Sequence, residues 1–114
     1  MSRTNFENLR VYKLAEELAD EIWKIVHRWN TFARDTVGRQ IVRSADSVGA
    51  NIAEGTGRHS FQDNRRFVKT ARGSLNETQH YLQCAFKRNL LTSVDAKKIK
   101  PLVDTTLLHN SIPT

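Results

Sequence analysis

Glu77 and His80 stand three residues apart, the step by which helical bundles ligate di-iron and di-manganese centres. Such a centre needs a second Glu-x-x-His and two more inward carboxylates. No second Glu-x-x-His exists in the chain, and Glu77 and His80 lie off the apolar seam of their own segment. No metal is therefore expected. His27, His59 and His109 have no second histidine at helical spacing and are expected at surface or edge positions. Cys84 is the single cysteine, which excludes an intramolecular disulfide and any all-cysteine metal site. Beside Ala85 and Phe86 it reads as a small apolar side chain near the core, with no histidine placed to activate it. Ser44, Ser47 and Ser74 lack a nucleophile elbow. Gly55-Thr56-Gly57-Arg58 looks like a phosphate loop, but it lacks the Lys-Ser/Thr pair and follows no strand. Gly55 is expected as a left-handed helix cap and Gly57 as a turn residue. No catalytic residue and no cofactor is expected.

Charge offers a different chemistry. The chain of 114 residues carries 18 Lys and Arg against 12 Asp and Glu, a formal charge of +6. Residues 1–33 are neutral, with five basic and five acidic groups; residues 34–72 hold eight against four, and residues 87–100 five against one. Arg65, Lys69 and Arg72 recur at helical spacing and form one row, with Arg58 and Arg66 near its start. Rows of this kind gain phosphate contacts through counterion release. RNA or DNA, bound without sequence preference, is thus one expected partner. No aromatic residue interleaves the row, which argues against base stacking there. A protein partner for a structural scaffold is the alternative.

A second polar row is Gln40, Arg43, Ser44, Ser47, Asn51 and Glu54. It edges an apolar seam, so its half-buried groups must find partners. A hydrogen-bond ladder between helices is the expected role. Antiparallel packing about a turn near Gly57 brings Arg43 level with Glu77, and the two are expected to pair.

Four helical segments must position these residues, and no strand pattern is present. The first runs from about Asn8 to Trp29 on a heptad seam of Val11, Ala15, Leu18, Ile22, Ile25 and Trp29. A second seam, Tyr12, Ala19, Trp23 and Val26, lies beside it. The second segment runs from about Thr36 to Glu54 on Val37, Ile41, Ala45, Val48 and Ile52; Gly49 and Ala50 suggest a close backbone approach. The third opens at Ser60 and follows Val68, Ala71, Leu75, Thr78, Leu82 and Ala85, with Phe67, Ser74 and Tyr81 on its edge. Asn89 is expected to cap it. Thr92 opens the fourth with Asp95 three residues on, and Pro101 predicts a kink or late restart within it.

Short connections favour antiparallel neighbours. The expected fold is all-α, an antiparallel up-down-up-down four-helix bundle over residues 1–114 as one domain. The widened apolar faces predict a homo-oligomer with Tyr12, Ala19, Trp23, Phe67 and Tyr81 in its interface. The charged N-terminus and the absence of any run near ~20 apolar residues point to a soluble cytoplasmic protein with no membrane partner.

Gln40-x-x-Arg43-x-x-x-Ser47-Val48-x-x-Asn51-Ile52-Ala53-Glu54-Gly55-x-Gly57-Arg58 and Ala71-x-Gly73-Ser74-Leu75-x-Glu77-Thr78 form the distinctive part of the chain. With the opening Phe6-Glu7-Asn8-Leu9-x-Val11-Tyr12, they resemble the bacterial four-helix-bundle family encoded within intervening sequences of large-subunit ribosomal RNA genes. The resemblance covers nearly the whole chain. It implies a small helical bundle, assembly as a homopentamer and no catalytic activity. A related branch comprises accessory proteins of diversity-generating retroelements, similar in fold, which bind nucleic acid and a reverse transcriptase.

Overall fold

The main seam of each of the first three segments becomes a buried stripe, whereas Tyr12 and Ala19 of the second seam of the first segment stay half-buried, with Trp23 exposed. The computed structural model describes residues 5–56 and 61–110. It contains α1 (Asn5–His27), a short α2 (Thr31–Ala33), a π-helical segment (Arg34–Gly38), α3 (Arg39–Thr56), α4 (Phe61–Lys87) and α5 (Ser93–His109). No strand occurs among the described residues. Val11, Ala15, Leu18, Ile22, Ile25 and Trp29 are all buried, as are Val37, Ile41, Ala45, Val48 and Ile52. On α4, Val68, Ala71, Leu75, Thr78 and Ala85 are buried and Leu82 is half-buried. These stripes face one another in one core.

α3 packs along α1 and α4, α1 packs along α5, and α4 meets α5 sparsely. Arg43 meets Glu77 and Ser47 meets Ser74 between α3 and α4. Arg28, just beyond α1, meets Asp95, and Glu21 meets Lys98, between α1 and α5.

Several elements begin or end away from the expected positions. The second helical segment opens at Thr31, not Thr36, because Asn30 caps it by accepting from the Ala33 N–H at 3.0 Å. Gly55 is not a left-handed cap: α3 continues to Thr56, and no described glycine has positive φ. Its missing side chain serves a close approach instead. A Cβ at Gly55 would lie 2.9 Å from Phe67 Cβ, and Asn64 Nδ2 donates to the Gly55 carbonyl at 2.9 Å. Gly49 sits at ordinary contact distance from Tyr12 and Ala15 side chains, so no backbone crowds it. The tighter glycine is Gly38, where a Cβ would stand 2.8 Å from Val26 Cγ1 and 3.0 Å from the Ala33 carbonyl. Pro101 lies inside an uninterrupted α5, on its exposed side. The expected restart is absent. Gly57, Arg58, His59 and Ser60 fall outside the described residues.

The local caps of the last two helices follow the sequence. Asn89 adopts φ 61°, the Leu90 N–H bonds the Ala85 carbonyl and the Asn89 N–H bonds the Phe86 carbonyl, a Schellman motif. Thr92 and Asp95 form a reciprocal capping box. Trp29 Nε1–H donates to the Leu90 carbonyl at 2.8 Å and ties this turn to the end of α1.

These glycine environments make opposite predictions. Gly73 is exposed on α4 with nothing within 4 Å of an added Cβ. Gly73→Ala is expected to stabilise by about 0.5–1 kcal/mol, the helix-propensity difference. Gly38→Ala is expected to destabilise by about 1–3 kcal/mol through overpacking. Urea unfolding of the two variants checks both signs.

Candidate functional site

The α3–α4 interface holds a polar ladder between its apolar stripes. At one end Arg43 Nη2 donates to Glu77 Oε2 at 2.6 Å and to Gln40 Oε1 at 3.1 Å. The Glu77 carboxylate raises the Arg43 pKa, by hydrogen bond first and by charge second. One residue further along each helix and facing inward, the fully buried Thr78 hydroxyl lies 2.9 Å from Ser44 Oγ and 2.8 Å from the Ser74 carbonyl. It has one proton and serves one acceptor at a time. Ser44 donates to the Ile41 carbonyl at 3.1 Å. Ser47 Oγ and Ser74 Oγ are 2.9 Å apart, and Asn51 Nδ2 donates to the Ser47 carbonyl at 2.8 Å. Asn64 on Gly55 closes the ladder. Small hydroxyls suit this position because each finds a partner either on the facing helix or on a carbonyl of its own preceding turn, and unsatisfied buried polar groups are costly. Glu54 is exposed at the ladder's edge. Thr78, assigned by its spacing to the apolar seam, is in fact a ladder member.

Glu77 is therefore occupied by a guanidinium. His80, three residues on, faces elsewhere: its Nε2 is 3.7 Å from Cys84 Sγ and its ring stands edge-on to Tyr81. The expectation that no histidine adjoins Cys84 is corrected. The pair is an ordinary i, i+4 helical contact that spacing alone reveals. No group of three or more His, Cys, Asp or Glu fit for a metal occurs among the described residues.

The basic row lies along α4. Arg65, Arg66 and Lys69 are exposed and Arg72 is half-buried. The Arg66 guanidinium rests 4.9 Å from the Phe67 ring centroid, so an aromatic does border this row. Arg58 is outside the described residues. The residues expected in an oligomer interface border different grooves and contacts. Tyr12, Ala19 and Trp23 border grooves between α1 and the Arg34–Thr56 stretch, whereas Tyr81 lines a groove beside α2 and Phe67 packs near Gly55. Tyr12, Ala19, Phe67 and Tyr81 are half-buried, while Trp23 is 60% exposed.

Two features were not drawn from sequence. α4 and α5 diverge around a groove of about 450 Å³ floored by Leu82, Leu91, Ile99 and Val103, with Phe86 exposed at its side and Lys87 and Lys100 at its rim. A separate groove of about 400 Å³ runs from Trp23 and Val26 to Arg34, Arg39, Val42 and Arg43.

The family model for the 23S rRNA-intervening sequence protein matches residues 7–108. The chain belongs to this family. The intervening-sequence match spans α1 through nearly all of α5, so it takes in both the ladder and the basic row. A crystal structure of a protein of unknown function from the S23 ribosomal protein family of Bacteroides thetaiotaomicron superposes with a TM-score of 0.80. The two are 22% identical over 91% of this chain and 94% of that one, so the likeness is one of fold. A comparison with curated proteins finds no match. No helix among the described residues is long and apolar enough to cross a membrane.

Proposed function

We propose that this intervening-sequence family member is a non-catalytic up-down-up-down bundle that self-associates and binds RNA or DNA through phosphate contacts. The observation that carries the nucleic-acid reading is the row of Arg65, Lys69 and Arg72 along one rigid helix, outward from the ladder that fixes α4 against α3. Rigid spacing lets several phosphates be met without ordering a flexible segment. The net charge of +6 supplies attraction at a distance. Copies of the row on a homo-oligomer raise the effective local concentration. The pentameric number rests on the family resemblance. The cytoplasm is the compartment this reading assumes.

The test is fluorescence anisotropy with labelled RNA and DNA across a salt series, alongside light scattering. Affinity is expected to fall steeply with salt, with a log–log slope of about −0.7 to −0.9 per phosphate engaged. Lys69→Glu with Arg72→Glu is expected to abolish binding while the oligomer keeps its mass. Wild-type protein that binds nothing at low ionic strength overturns the reading.

The α4–α5 groove favours one alternative, a scaffold that receives an amphipathic protein helix. That reading predicts a polypeptide co-purifying at low salt in place of nucleic acid.

A further inference from the structure

We propose that the groove beside Trp23 is a single-stranded nucleic-acid platform, in which an unpaired base stacks on Trp23 while Arg34 and Arg39 hold the flanking phosphates. The proposal deepens the nucleic-acid reading above by naming a site and a strand state that the α4 row does not supply.

Three observations converge on it. Trp23 is 60% exposed on α1, although it is one of only two tryptophans and the other, Trp29, is buried with its N–H bonded. An open indole face is the surface on which unpaired bases stack, and stacking tolerates any base. Second, the groove that Trp23 lines is walled by Arg34, Arg39 and Arg43, with Asp35 as its one carboxylate. Arg43 is engaged by Glu77, but Arg34 and Arg39 make no side-chain ion pair among the described residues. Their planar guanidiniums match phosphate oxygens two at a time. Third, the groove's volume of about 400 Å³ falls within the range of ordinary ligand pockets, roughly 300–1,000 Å³.

The backbone explains why these groups meet. The π-helical segment Arg34–Gly38 sits between α2 and α3, and Gly38 lets it approach Val26 and Trp29 of the α1 end without a side chain between them. Arg34 opens this segment and Arg39 follows its last residue, and both line the same groove as Trp23. Single-turn π segments recur at functional sites because the extra residue re-aims the side chains around it. Duplex is disfavoured here because its bases are stacked already and cannot offer a face to the indole.

Intrinsic fluorescence tests the site directly. Oligo(dT) is expected to quench the exposed, red-shifted Trp23 emission and leave the Trp29 emission in place. The duplex of oligo(dT) with oligo(dA) is expected to bind without quenching. Trp23→Ala should weaken oligo(dT) binding about tenfold, the usual loss for one stacked base, with duplex binding unchanged. Trp23→Phe should retain most of the affinity, and Arg34→Ala with Arg39→Ala should make the salt slope shallower. If wild-type protein binds oligo(dT) without quenching and Trp23→Ala binds equally well, this site is wrong and the general reading stands. If wild-type protein binds neither probe, both fail. If Trp23→Ala instead lowers the mass seen by light scattering, the groove is a subunit contact and the platform proposal is overturned.

Discussion

Leu75→Ala is expected to cost about 3 kcal/mol, within the range of roughly 2–5 kcal/mol for deleting a buried leucine. Leu75 is 0% exposed and belongs to the core cluster of the described residues. It sits on α4 between Ser74, bonded to Ser47, and Thr78, bonded to Ser44. Those interhelical bonds hold α3 and α4 at a set spacing, so the walls cannot collapse into the vacated volume. The cost therefore falls above the bare transfer term. For a chain of this length the loss lowers the melting temperature by roughly 10–15 °C. Leu108→Ala is the control: Leu108 is 70% exposed, and its removal should change stability by less than about 0.5 kcal/mol. Equal losses at the two positions would contradict the packing described for α4.

The seams were legible because burial itself imposes their period. Val11, Ala15, Leu18, Ile22, Ile25 and Trp29 are all buried, since packing against neighbouring helices demands one continuous stripe. The Asn89 and Thr92–Asp95 caps were legible because each is made within a few residues of chain. The Arg43–Glu77 level followed from counting outward from one turn. Of the polar row, Arg43, Ser44 and Ser47 reach across to α4, whereas Gln40 and Asn51 bond within α3.

What sequence missed depends on other helices. Gly55 followed by Gly57 reads as a stop, yet the atoms that require glycine at 55 belong to Asn64 and Phe67 of α4. The π-helical segment is legible only once Gly38 is seen against Val26 and Trp29. Pro101 breaks a helix on propensity, but α5 continues because its buried residues, Ile99, Val103 and Thr106, span the proline. Periodicity assigned Trp23 to an apolar seam. It could not say that the arginines of a later segment would face the same groove. His80 beside Cys84 is different in kind, since its i, i+4 spacing was present in the sequence throughout.

Asp95→Ala is expected to cost about 2 kcal/mol at neutral pH, combining loss of a helix cap with loss of a charge-assisted hydrogen bond. Asp95 is buried, accepts from the Thr92 N–H at 3.3 Å within the capping box, and accepts from Arg28 Nη2 at 2.7 Å. Burial pushes its carboxyl up, but the Arg28 and Thr92 hydrogen bonds outweigh burial and hold it below the usual carboxylate range. A carboxylate depressed in the folded state stabilises fully above its unfolded pKa and loses that contribution as pH falls through its folded one. The gap between wild type and Asp95→Asn should therefore be constant from pH 8 to about pH 5 and close progressively below that. Asp46 works in the opposite sense: partial burial first, and Asp20 second, raise its carboxyl. Its ionised form disfavours folding at neutral pH, and acid relieves it. A whole-protein acid profile blends the two, so the measurement is the difference between wild type and each variant in urea at matched pH. Asp46→Asn should be the more stable chain at pH 7, with that advantage shrinking in acid, while Asp95→Asn should be the weaker one. A wild-type-minus-Asp95→Asn difference that grows as pH falls would show that Arg28 does not hold the carboxylate.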